Sequence, residues 1–172
     1  MKVFSVVLVC IVAGSCLCLG VTSLLSMQPL ETGTTAPEFT LPDISGERVS
    51  LSDFEAQVLL LNFWSPTCTP CIQELPVLAT LQKEFATEDL AVITICLGCS
   101  VKEARQGLKK ANTEDILVLL DGGTETMIPY HAGASPTTYL IDRDGVIQLG
   151  SAGYSGSTEA YLRSEIERLL EE

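Results

Sequence analysis

One segment constrains the fold more than any other. Val58–Phe63 is a continuous apolar run broken only by Asn62, and Trp64-Ser65-Pro66-Thr67-Cys68-Thr69-Pro70-Cys71 follows at once. Such a run predicts a buried strand. From about Cys68 to Phe85, the residues Ile72, Leu75, Leu78, Ala79, Leu81 and Phe85 recur with a helical period, and Pro76 implies a kink. Two cysteines in CxxC spacing therefore sit where a buried strand runs into a helix. Unpaired amide N–H groups and the helix dipole stabilise an anion there. A thiol at that point has a lowered pKa and is nucleophilic at neutral pH. Cys68, at the helix start, is expected to be exposed and to attack first. Cys71, one turn on, points inward and resolves the mixed disulfide. Pro70 is tolerated because first-turn N–H groups have no helical partner anyway. Taken alone, the CxxC is also compatible with a zinc half-site or a structural disulfide.

The remaining pattern alternates. Phe39–Leu41 and Arg48–Leu51 flank a Gly-containing turn and read as a small hairpin. Ser52-Asp53-Phe54 is a short helical turn. Leu90–Leu97 is a second buried strand, Val101–Ala111 a helix, Ile116–Leu120 a third strand, and Thr124–Tyr130 a short helix. Thr137–Asp142 and Val146–Leu149 are strands joined by Arg143-Asp144-Gly145. Ser157 or Thr158 caps a last amphipathic helix ending near Leu170. The fold class is α/β: a mixed central sheet with helices on both faces, plus an N-terminal β-hairpin.

Charge and hydropathy divide the chain. Its 172 residues carry a formal net charge of −12, which excludes the basic footprint of a nucleic-acid binder. Val3–Leu25 contains no charged residue, and as a helix it would span roughly 34 Å against a hydrocarbon core of ~30 Å. Residues 1–25 read as an N-terminal membrane anchor or signal peptide, 26–36 as a polar linker and 37–172 as the folded domain. Lys2 before the span favours a cytoplasmic N-terminus and an external domain. Val12-Ala13-Gly14-Ser15-Cys16 also resembles a bacterial lipobox, which would anchor the chain by lipidation at Cys16; simple cleavage is the third reading. Each puts the domain where disulfides persist, facing the periplasm or cell exterior.

Gly33, Ala36-Pro37-Glu38-Phe39, the Asn62–Pro76 motif and the Ser135–Gly145 motif together resemble a thioredoxin-fold thiol–disulfide oxidoreductase. The resemblance is to the TlpA/ResA-like, membrane-tethered type within the AhpC/TSA-redoxin superfamily. It covers about residues 31–170 and implies a thioredoxin-like fold. Pro136 stands just before a strand, where a cis bond would bring the Ser135 backbone against the cysteine pair. Trp64 and Ser135 are expected to bind substrate, with Cys68, Cys71, Glu74 and Pro136 as catalytic residues. The implied activity is reduction of extracytoplasmic protein disulfides. Apocytochrome c haem-site cysteines are a substrate class of this family, and a thiol-transferring membrane partner would recharge the enzyme. No cofactor and no metal is implied. Thioredoxin keeps a buried Asp two residues before its Trp; here that position is Asn62, which does not titrate. Glu74, three residues past Cys71 on the same helical face, would accept the proton of Cys71 if buried; otherwise it is a solvated helix residue.

Cys96-Leu97-Gly98-Cys99 departs from the family pattern. Its Cα atoms are expected within disulfide range, ~4.4–6.8 Å, on the active-site side of the sheet. It reads as a second redox pair, a structural disulfide or two inert residues. With Cys68 and Cys71 it also approaches the spacing of a four-cysteine zinc site. His131, the only histidine, reads as incidental. Two alternatives to the reductase stand: a peroxiredoxin-like thiol peroxidase and a metal-binding module using both CxxC pairs. Pro66-Thr67-Cys68 does not supply the Pro-x3-Thr-x2-Cys pattern that peroxiredoxins use.

Overall fold

The computed structural model describes residues 28–85, 89–113 and 115–172. The hydrophobic leader, with Cys10, Cys16 and Cys18, lies outside them. Among the described residues no helix is long and apolar enough to cross a membrane.

A hairpin comes first: β1 (Thr40–Pro42) pairs antiparallel with β2 (Arg48–Ser50), and a 3₁₀ turn (Leu51–Asp53) follows. Then come β3 (Val58–Trp64), α1 (Thr69–Glu84), β4 (Leu90–Leu97), α2 (Val101–Ala111), β5 (Leu117–Asp121), β6 (Thr137–Asp142), β7 (Ile147–Ala152) and α3 (Thr158–Leu170). The five long strands form one sheet in the order β5-β4-β3-β6-β7. The pairs β3–β4 and β4–β5 are parallel, whereas β3–β6 and β6–β7 are antiparallel. β3 is central and buried along its whole length, as its unbroken apolar run requires.

Alternate residues of β3 face opposite layers. Val58, Leu60 and Trp64 join a core built from Leu75, Leu78 and Leu81 of α1, Ala104 and Leu108 of α2, and Leu162 and Ile166 of α3. Leu59, Leu61 and Phe63 join a second core with Phe39, Leu41, Tyr130, Tyr139 and Ile147. The three α-helices therefore share one face, where helices had been expected on both. The steps β3→α1→β4 and β4→α2→β5 move the same way across the sheet. Right-handed crossovers of that kind put both helices on one side. The other face is closed by the hairpin, the 3₁₀ turn and residues 122–136.

That last segment corrects a second expectation. Thr124–Tyr130 forms turns, not a helix. The buried Asp121 carboxylate accepts N–H bonds from Gly123, Glu125, Thr126 and Met127 and a hydroxyl bond from Thr126. Beyond these amides the His131 N–H bonds the Ile128 carbonyl and the Ala132 N–H the Met127 carbonyl, so no i→i−4 ladder propagates.

The N-terminal stretch is attached to the sheet from Leu30 onward. Leu30 N–H donates to the Tyr139 hydroxyl at 3.0 Å, and Gly33 N–H to the Ile147 carbonyl at 2.8 Å. A Cβ on Gly150 would stand 2.7 Å from the Leu30 carbonyl oxygen, so the close approach needs glycine.

Candidate active site

Cys68 is the N-cap of α1, with extended backbone at φ −85° and ψ 105°. In that position its sulfur receives the Cys71 N–H at 3.2 Å, a bond that an oxygen supplies in most helix caps. Cys68 is half-buried; Cys71 is 1 % exposed and belongs to the helix-side core. The two are joined as a disulfide with Cα atoms 5.3 Å apart. The Ser135–Pro136 peptide is cis, and the Ser135 carbonyl oxygen stands 3.4 Å from Cys68 Sγ. Ser135, Pro136, Cys68 and Cys71 are thus brought together. The rim formed by Ser65, Pro66, Thr67, Thr69 and Pro70 carries no charge.

Glu74 is buried, at 1 % exposure, which removes the solvated alternative. Asn62 Nδ2 donates to its Oε2 at 2.9 Å, and the Thr138 hydroxyl donates to Oε1 at 3.4 Å. Burial pushes the Glu74 carboxyl up to about 7, against the opposing effect of those two hydrogen bonds. Asn62 Oδ1 has no hydrogen-bond partner among the described residues. A cavity of about 370 Å³ between the end of β7 and the start of α3 reaches Glu74 and Thr138, and Tyr154, Ser157 and Tyr161 also line it. A carboxyl titrating near neutrality thus lies one helical turn from Cys71 with a path to solvent. The Thr138 contact, 64 residues away in sequence, had no local signal. The pairing of Asn62 with Thr138 across β3 and β6 creates it.

Trp64 differs from expectation. Its side chain is wholly buried and packs on α2, where a Cβ added to Gly107 would meet the indole ring at 2.6 and 2.8 Å. It offers no surface to a substrate and instead wedges α2 against β3. Cys96 and Cys99 are also joined as a disulfide, with Cα atoms 6.0 Å apart. Cys96 pairs in register with Trp64, at the sheet edge that carries Cys68. The four sulfurs are thus used in pairs within each motif. Among the described residues no three His, Cys, Asp or Glu side chains are grouped as metal ligands.

This geometry agrees with known proteins. Residues 32–149 match the AhpC/TSA family. The chain belongs to the AhpC/TSA family. Within it, the thioredoxin-like protein YneN of Bacillus subtilis (strain 168) is 39% identical over 121 residues, covering 69% of this chain and 70% of YneN. The thiol-disulfide oxidoreductase ResA of the same strain is 32% identical over 120 residues, covering 70% of this chain and 66% of ResA. Among solved structures, one described as a thiol:disulfide interchange protein DsbE of Chlorobium tepidum superposes with a TM-score of 0.76 at 30% identity. The match covers 82% of this chain and 99% of that one. This AhpC/TSA protein is a thiol-disulfide oxidoreductase of the ResA/DsbE type with a thioredoxin-like fold.

Proposed function

We propose that the protein reduces protein disulfides outside the cytoplasm, with Cys68 as nucleophile, Cys71 as resolver and Glu74 as proton acceptor. The observation that carries the reading is the asymmetry of the first cysteine pair. Cys68 is partly exposed and capped by an amide N–H, whereas Cys71 is buried. A donated N–H and the helix dipole favour the thiolate over the thiol. The Cys68 thiolate attacks a substrate disulfide, forming a mixed disulfide and expelling one substrate thiolate. Glu74 takes the proton of Cys71, and the Cys71 thiolate attacks Cys68 Sγ. The second substrate thiolate leaves, and Cys68–Cys71 closes. Two electrons have passed to the substrate, whose two thiolates take up the proton that Glu74 received from Cys71 and one from solvent. The Ser135–Pro136 loop borders the reacting sulfur and positions the substrate chain.

The charge-free 3–25 leader supports an external, membrane-tethered domain. The ResA/DsbE resemblance supports apocytochrome c haem-site disulfides as substrates and a thiol-transferring membrane protein as electron donor. Cys71→Ala should accumulate mixed disulfides that survive gel electrophoresis without reductant, and Cys68→Ala should accumulate none. Equal trapping by both variants would overturn the assignment of the nucleophile. Protease added to intact spheroplasts should digest the domain; complete protection would place it inside the cell.

A further inference from the structure

The mechanism above leaves Cys96-Leu97-Gly98-Cys99 unused. Like the first CxxC it follows a parallel strand, but it ends just before its helix where the first runs into one. β3 and β4 are neighbours with Trp64 opposite Cys96, so the two connections lie side by side, their strands roughly 4.8 Å apart. Gly98 adopts φ +63° and donates its N–H to the Asp121 carbonyl at 2.8 Å. This left-handed residue, which glycine adopts freely, turns the chain so that Cys99 returns to Cys96. Cys96 and Cys99 are 0% and 8% exposed. A protein partner gains little access to sulfurs so enclosed, and thiol exchange requires sulfur contact. Their surroundings are internal: Cys71 and Trp64 belong to the same buried cluster, and Cys68 packs against it.

We infer that Cys96–Cys99 is a second redox-active pair that exchanges electrons with Cys68–Cys71 inside the chain. The inference rests on the proposed role of Cys68 as nucleophile. An external dithiol protein first reduces Cys68–Cys71. The Cys68 thiolate then attacks Cys99 Sγ: the Cys96–Cys99 bond breaks, a Cys68–Cys99 bond forms, and Cys96 leaves as a thiolate that takes up a proton. Cys71 next attacks Cys68 Sγ, which restores Cys68–Cys71 and releases Cys99 as a thiol. Two electrons and two protons have moved from the first pair to the second. A second external reduction leaves four electrons in one chain, and the reverse steps deliver the stored two to another substrate disulfide.

Trypsin separates the three cysteine groups. Cleavage after Lys2, Arg48, Lys83 and Lys102 puts Cys68 and Cys71 in 49–83, Cys96 and Cys99 in 84–102, and the leader cysteines in 3–48. The full chain, fully reduced in detergent and freed of reductant, is mixed with excess insulin as disulfide substrate, acid-quenched, alkylated and mapped by mass spectrometry. The thiols of 84–102 should oxidise as insulin is reduced. In Cys68→Ser/Cys71→Ser they should persist at least about tenfold longer. Cys71→Ser/Cys96→Ser, allowed to air-oxidise, should yield 49–83 linked to 84–102 through Cys68 and Cys99. Oxidation of 84–102 that is equally fast without Cys68 and Cys71 would overturn the inference. So would thiols of 84–102 that never change while 49–83 turns over. If 49–83 itself fails to oxidise, the proposed function falls and the inference with it.

Discussion

Helix α1 is capped by a cysteine and helix α2 by a serine. In α1 the Cys71 N–H donates to Cys68 Sγ at 3.2 Å; in α2 the Glu103 N–H donates to Ser100 Oγ at 3.4 Å. The same backbone device is filled by sulfur in one helix and oxygen in the other. The first CxxC starts at its helix cap, Cys68, and runs into the helix, whereas the second ends one residue before its cap, at Cys99. That difference in register decides whether a thiol receives the helix amide. It also decides the fate of the glutamates. Glu103 sits at the capping-box position, exposed, with hydrogen bonds from Ser100 holding its carboxyl below the usual range. Glu74 lies a turn deeper, where burial holds its carboxyl up near 7. CxxC spacing alone thus does not give a thiol a helix amide; its register against the cap does.

Removing the titratable group from the first connection should have the largest effect. Glu74→Gln should slow substrate reduction by about 10²-fold above pH 7, the lower end of general acid–base contributions. The wild-type rate should rise as pH passes through about 7, where Glu74 becomes a proton acceptor, and the variant should lack that rise. Stability should move in the opposite sense. A carboxyl raised on folding binds its proton more tightly in the native state, so the oxidised domain loses stability as pH rises from about 4.5 to about 7. The loss is about 3 kcal/mol. Urea unfolding at pH 4.5 and pH 8 should therefore show a smaller pH dependence in Glu74→Gln than in the wild type. Identical dependence would mean that Glu74 is ionised in the folded protein.

A smaller effect should come from the contact that joins the two connections. Gly107→Ala drives a Cβ into the Trp64 ring and should cost about 1–3 kcal/mol, the usual range for overpacking. Trp64 is the only tryptophan, so its fluorescence should shift along with the fall in Tm. The smallest effect should be at the second cap, where Ser100→Ala removes the side-chain bond to Glu103 and should cost about 1 kcal/mol. A cost near zero would indicate that the capping box is not formed in solution.

Much of this site could be read from the sequence because its determinants are local. Asn62, Cys68, Cys71 and Glu74 lie within one strand–turn–helix unit, where strand burial and helical period set each position. Gly98 likewise signalled the turn that brings Cys96 and Cys99 together. What escaped depends on distant contacts. Trp64 reads as a substrate-binding residue beside a cysteine pair, and the room that Gly107 makes for it lies 43 residues on. Thr124–Tyr130 has helical length, but the bonds of His131 to Ile128 and of Ala132 to Met127 break the i→i−4 ladder. The placement of all three helices on one face follows from strand order, which periodicity does not encode.

The N-terminal segment has one further consequence. Thr35 bridges Val146 beside β7, and Asp43 bridges Leu119 on β5; these are the two outermost strands of the sheet. Between those points the same segment supplies Ala36, Phe39 and Leu41 to the helix-free face. Residues 30–54 thus act as a belt that hems both borders and roofs the surface between them. Open sheet borders recruit strands from other chains. A nick in the belt would leave two adhesive rims and an unroofed apolar floor, so clipped protein should self-associate before it unfolds.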